Sequence, residues 1–165
     1  MRSEYSYKNG VAVIKPQSIA KHKILRAYLS AYFPTLISAP GQEQIKLTII
    51  DAFAGGGEYL MEGSGEPMDG SPIILLQEAR AAEFTLNQNR LKKIHFDIDY
   101  FFTEKNPYAY KHLIYTLEKR GYLPDPLQKI HHYHSRFENQ FYDIVAFIKK
   151  KSPKAGRSIF LLDQY

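Results

Sequence analysis

The chain has 165 residues, 44% of them hydrophobic and 24% charged, with 22 Lys and Arg against 17 Asp and Glu. One domain with a single core fits that length, and collagen-like, low-complexity and strongly disordered chains are excluded. The absence of Cys excludes a disulfide framework and any Cys-ligated zinc or iron–sulfur site.

The first 17 residues read as an irregular or strand-like arm ending at Pro16, before a domain over 18–165. Ser18 is a candidate helix cap, and Ile19, His22, Leu25, Tyr28, Leu29 and Tyr32 follow helical spacing until Pro34. After a polar turn, Leu47-Thr-Ile-Ile-Asp-Ala-Phe reads as a buried strand running into Ala54-Gly-Gly-Gly, a turn that needs unusual backbone angles. Residues 58–70, rich in Gly and acid, read as a loop-like insertion.

Ser71-Pro72 opens a second helix running to about Arg90. His95 to Lys105 is a strand with Glu104 at its carboxyl end, and Asn106-Pro107 opens a helix closed near Gly121. Lys129 to Phe137 is a third strand, Glu138 to Lys151 a helix, and Arg157-Ser-Ile-Phe-Leu-Leu-Asp a fourth, buried strand. The order β-α-β-α-β-α-β predicts an α/β fold: a Rossmann-like, doubly wound and mostly parallel sheet with helices on both faces. A domain of this kind seldom stops right after a buried strand. The expectation is therefore the N-terminal part of a larger domain, incomplete at its C-terminus.

Ligands of such sheets sit beyond the carboxyl ends of the strands, where strand order reverses. Those positions hold Asp51 with Gly55 to Gly57, Glu104, the Arg136 region and Asp163-Gln-Tyr165. The charge is unevenly spread. Residues 1–50 carry 7 basic and 2 acidic side chains, 51–100 carry 4 and 9, and 101–165 carry 11 and 6. An acidic middle suits a cationic or zwitterionic ligand better than a phosphate.

The glycine turn narrows the choice. A phosphate-binding P-loop needs Gly-Lys-Ser/Thr, whereas Glu58 and Tyr59 follow Gly57. A dinucleotide fingerprint needs a third Gly where Leu60 stands. S-adenosylmethionine remains: it has no pyrophosphate, carries a sulfonium and an ammonium, and tolerates acids beside the glycines. A second acid, here Glu104, would then take the ribose hydroxyls. Other residues carry plainer readings. His131-His132-Tyr-His134 lacks a recognisable further ligand for a metal, and Lys149-Lys-Lys151 closes a helix as dipole-complementing, solvated charge.

Several motifs occur in one order: Lys21-His22-Lys-Ile-Leu-Arg-Ala-Tyr28-Leu29, Asp51-Ala-Phe-Ala-Gly-Gly-Gly-Glu-Tyr59, Gly70-Ser-Pro-Ile, Glu104-Lys-Asn and Phe160-Leu-Leu-Asp-Gln-Tyr165. Together they resemble the three-Cys-motif partner proteins, themselves similar to class I S-adenosylmethionine-dependent methyltransferases. They are more distantly similar to bacterial enzymes that methylate adenine N6 in large-subunit ribosomal RNA.

The resemblance implies that Asp51, Phe53, Gly55 and Gly57 line the methionine end of the cofactor and Glu104 its ribose. It has Lys21 and His22 fold over the site from the first helix, and it makes Asp163 and Tyr165, with Lys21, the catalytic group. Gln164 stands where the family pattern usually has Pro, which leaves the catalytic assignment open. Two functions follow as expectations. One is methyl transfer to RNA or DNA; the other is a non-catalytic, methyltransferase-like binding partner of a three-Cys-motif protein. A different nucleotide-dependent enzyme using the same turn is a third. No stretch approaches the ~18 apolar residues of a membrane span, and the N-terminus lacks the apolar core of a signal peptide. A cytoplasmic protein with no membrane partner is therefore expected.

Overall fold

In the computed structural model the described residues are 7, 10–153 and 157–163. The elements run β1 (Val13–Ile14), α1 (Pro16–Thr35), β2 (Gln44–Asp51), β3 (Glu58–Met61), β4 (Pro67–Asp69), α2 (Ser71–Asn87), β5 (His95–Glu104), α3 (Pro107–Lys119), β6 (Ile130–His134), α4 (Phe137–Lys151) and β7 (Ser158–Leu161).

Four strands form one all-parallel sheet in the order β6-β5-β2-β7. The chain moves outward from β2 through β5 to β6, then returns across the sheet to place β7 on the other side of β2. Strand order thus reverses between β2 and β7.

Period-two alternation assigns the faces of this sheet. Ile45, Leu47 and Ile49 of β2 and Phe96, Ile98, Tyr100 and Phe102 of β5 join one core with Leu29 and Phe33 of α1, Ile73 to Leu76 of α2, and Leu113 and Leu117 of α3. On the opposite face Ile50 and Phe101 pack with Ile144 and Ile148 of α4. Helices therefore cover both faces, which keeps a parallel sheet's apolar strands out of water. This mixed α/β arrangement is compatible with the Rossmann-like expectation.

Three local expectations are corrected. Residues 58–70 are not a loop: β3 and β4 form an antiparallel hairpin, and β1 adds to it in parallel. The hairpin base is closed where the Gly70 N–H donates to the Gly57 carbonyl at 2.8 Å. Tyr7, Ala12 and Ile14 are buried with the hairpin, in the same small core as Tyr59.

Helix α1 opens at Pro16, with Lys15 as its cap and Ser18 buried inside it. Proline's fixed φ and missing N–H suit the first helical position, and that outweighs the capping preference of Ser. Pro34 sits inside the last turn rather than ending the helix.

Candidate functional site at the strand-order reversal

The carboxyl ends of β2 and β7 lie side by side, with Asp51 in register with Leu161. Beside them α1 contributes Lys21, His22 and Leu25, and the start of α2 contributes Ser71. With Asp51, Phe53, Leu161 and Asp163 these line a cavity of about 30 Å3. Five sequence-derived candidates thus meet in one place: Lys21, His22, Asp51, Phe53 and Asp163. Tyr165 and Gln164 lie outside the described residues.

Asp51 is 1% exposed. Its Oδ1 accepts the Phe53 N–H at 3.2 Å, while its Oδ2 is buried with no hydrogen-bond partner. Burial pushes its carboxyl up to about 7, against a hydrogen bond with Ser71, and the nearby Glu104 and Asp163 charges push the same way. His22 is likewise buried, with Nδ1 unpartnered. Burial draws its pKa below the ordinary imidazole value, partly opposed by Asp163. Lys21 Nζ donates to Asp163 Oδ1 at 2.7 Å across the mouth of the site.

Two orphaned polar atoms, Asp51 Oδ2 and His22 Nδ1, thus belong to residues lining one small cavity. Leaving a buried polar group unpaired costs about 1–3 kcal/mol, so a ligand bringing a donor to Asp51 recovers part of that cost. An ammonium group fits this donor set in charge and hydrogen bonding. A cavity of about 30 Å3 admits a group of roughly water size. It accommodates the cationic end of a ligand, not a whole nucleoside.

The glycine turn is arranged differently. Gly55 and Gly57 have φ of +62° and +76°, as the sequence requires of such a turn. The Gly55 N–H donates to Glu104 Oε2 at 2.9 Å, and the Asn106 N–H to Oε1 at 2.7 Å. Glu104 therefore ties the turn to the end of β5. Each of its oxygens keeps acceptor capacity after those bonds.

Gly56 donates to the Tyr7 hydroxyl at 3.2 Å, and that hydroxyl donates to the Glu58 carbonyl at 3.1 Å. A Cβ on Gly56 would stand 2.3 Å from the Tyr7 ring. A Cβ on Gly57 would meet Leu113 and Thr116 of α3, and Gly57 is not among the residues that line the cavity. The close backbone approach at Gly56 is thus used by an aromatic ring of the chain itself.

The acidic middle of the chain is largely consumed by internal ion pairs. Arg120 pairs with Glu58 and Asp69 at 2.8 Å each, and Arg26 pairs with Asp69 and Glu78 at 3.1 and 2.6 Å. Lys129 reaches Asp97 at 2.6 Å, and Lys151 bonds both Asp97 and Asp99. Lys151 is only 9% exposed, which corrects its reading as a solvated helix-end charge. Asp97 and Asp99 alternate along β5 and so face α4 together, a signal that period-two reading of the strand offers.

The three histidines of β6 all have protein partners. His131 contacts Asp99 at 3.0 Å, His132 the Tyr110 hydroxyl at 2.8 Å, and His134 the Lys105 carbonyl at 3.2 Å. No group of three potential metal ligands is found among the described residues.

No family model matches the chain, and no curated protein matches it. Among solved structures, the chain is similar to the crystal structure of protein LPL1258 from Legionella pneumophila str. Philadelphia 1, described under the family model DUF519. The TM-score is 0.47 at 13% identity, over 87% of this chain and 54% of that one. The chain thus spans about half the length of that protein. Among the described residues no helix is long and apolar enough to cross a membrane.

Proposed function

We propose that the protein binds S-adenosylmethionine at the β2/β7 reversal and transfers its methyl group to an amine of a nucleic acid, as its resemblance to three-Cys-motif partner proteins implies. The observation that carries this reading is the fully buried, unpartnered Oδ2 of Asp51 beside a cavity at that reversal. When bound, S-adenosylmethionine supplies a methyl group on a good leaving group, so positioning accounts for most of the rate gain.

The chain's own residues divide that work. Asp51 Oδ2 accepts from the ligand ammonium, and the arriving cation draws the carboxyl from its raised pKa back toward ionisation. Glu104, already oriented by two backbone N–H groups, offers its remaining lone pairs to hydroxyls. Asp163, held by Lys21, orients the incoming amine, and neutral His22 walls the cavity without adding positive charge.

Calorimetric titration with S-adenosylmethionine and S-adenosylhomocysteine tests this. Saturable binding is expected, weakened at least about tenfold by Asp51→Asn, in line with loss of a hydrogen bond to a charged group. No heat at millimolar ligand would sink the reading.

A second reading is the non-catalytic binding partner of a three-Cys-motif protein. It is favoured by Tyr7, whose ring occupies the approach to Gly56, and by Gln164 in the position where Pro is usual. Methyl transfer from tritiated cofactor to RNA or DNA separates the two, because a partner protein binds cofactor or its protein partner with no transfer.

A further inference from the structure

Many of the chain's cations are held in ion pairs, while others, among the described residues, are exposed without one. Arg26, Lys92, Lys119, Arg120, Lys129 and Lys151 are all committed to carboxylates. Lys105, Lys111 and Arg136 are exposed and, among the described residues, make no ion pair. Lys105 and Arg136 sit just past the carboxyl ends of β5 and β6, and Lys111 lies in the second turn of α3, the helix that leaves the end of β5. The backbone brings the first two together: Glu104 is in register with His134, and the Ser135 N–H donates to the Glu104 carbonyl.

Aromatic rings lie among these charges. The His134 ring, exposed, stacks on Tyr110 with centroids 5.2 Å apart and planes inclined by 22°. Tyr110 is anchored by its hydroxyl to His132 at 2.8 Å, so the outer ring rests on a fixed support. Tyr108, one turn before Lys111 on α3, is 51% exposed. Of the acids here, Glu104 has both oxygens accepting backbone N–H groups, and Glu138 is exposed at the start of α4.

Unpaired cations interleaved with ring faces match a flexible polyanion whose bases are free to stack. Phosphates meet the charges while bases lie on the rings. A duplex buries its base faces and offers phosphates alone. We propose that the carboxyl ends of β5 and β6, through Lys105, Tyr108, Tyr110, Lys111, His134 and Arg136, form a binding surface for single-stranded nucleic acid. The surface lies on the same sheet end as the reversal cavity, about 10 Å away by strand spacing. This deepens the proposed function, on which its role as a substrate surface rests, by naming where and in what form the nucleic acid is held.

The test is fluorescence anisotropy of the protein with labelled 12-nucleotide RNA and DNA strands, their duplexes, and polyglutamate as competitor. Single strands are expected to bind more tightly than duplexes, with log Kd against log salt sloping by about 2 for three phosphate contacts. Lys105→Glu with Lys111→Glu is expected to weaken binding at least tenfold, and Tyr108→Ala with His134→Ala severalfold without changing the salt slope. Lys149→Glu with Lys150→Glu, equal in charge but at the far end of α4, is expected to leave binding within about twofold. All three pairs of positions are exposed, and circular dichroism checks that the variants remain folded.

Equal losses from the two charge-reversal pairs would overturn the proposal, as would equal affinity for duplex, displacement by polyglutamate at matched charge, or no oligonucleotide binding. Calorimetry with S-adenosylmethionine is run on the same samples. Oligonucleotide binding without cofactor binding would retain this surface and defeat the methyltransferase reading, and the reverse result would do the opposite.

Discussion

Buried carboxylates stand at two places on this sheet, Asp99 beside the half-buried Asp97 and Asp51 at the reversal, and they have opposite surroundings. Asp97 and Asp99 point from β5 toward α4, where Lys129, Lys151 and His131 meet them. Hydrogen bonds and nearby positive charge outweigh burial there and hold Asp99 down at about 2. Asp51, three positions before the glycine turn's Ala54, is as deeply buried but has no cation against it, and its carboxyl rises to about 7. A paired buried acid is part of the scaffold; a buried acid left half-unsatisfied, beside a cavity, is where a ligand can be recognised.

The largest expected effect breaks this comparison by pH. Asp51's folded pKa lies above its unfolded value, so its folded form favours the protonated state. Stability from this group is greatest below about pH 4 and is lost as pH rises through about 7, by about 4 kcal/mol across the window. Asp99 has the opposite sign: its contribution is present above about pH 4 and is lost as pH falls toward about 2. Urea denaturation from pH 4 to 8 should therefore show Asp51→Asn with a flatter profile than the wild type and higher relative stability at pH 8. Parallel profiles would count against a buried Asp51 without a cation partner.

Next in size is Lys151→Met, which leaves Asp97 and Asp99 with Lys129 and His131 only. Removing one partner of a buried ion pair costs about 3–5 kcal/mol, and the remaining partners place the expectation at about 3 kcal/mol, read from the urea midpoint. The same lysine serves as a test of the helix-end reading, because a solvated charge would cost almost nothing.

Gly56→Ala sharpens the contrast between the turn and the cavity. Its Cβ would meet the Tyr7 ring, and overpacking of this kind costs about 1–3 kcal/mol. In the Tyr7→Ala background the same substitution should cost measurably less, and the double-mutant cycle reports the difference. Smallest is Lys21→Met, expected below about 1 kcal/mol in stability because both partners of its ion pair with Asp163 are partly exposed. Its effect should fall instead on ligand binding, read by calorimetry.

Much of this fold was legible from residue order. Alternating strand and helix patterns gave four parallel strands with helices between them, and the same reading put Asp51, Glu104 and Asp163 at strand carboxyl ends. The hairpin at 58–70 was hidden because its strands are three and four residues long and Gly-rich at their connection, too short for alternation to register. Lys151 was misread because a helix-end lysine run looks solvated unless the partner strand's Asp97 and Asp99 are known to face it. Tyr7 gave no signal at all, since nothing along the chain joins residue 7 to Gly56.

The sequence alone determined the class of fold, the strand-end acids and the backbone angles of the glycine turn, because periodicity, proline and glycine act locally. Tertiary structure decided which acids are satisfied and which are not. Lys151 and Asp97 are 54 positions apart, Tyr7 and Gly56 are 49, and Lys21 and Asp163 are 142. Pairing at such separations depends on sheet order and helix placement, and it is this pairing that leaves Asp51 Oδ2 without a donor while Asp99 has several.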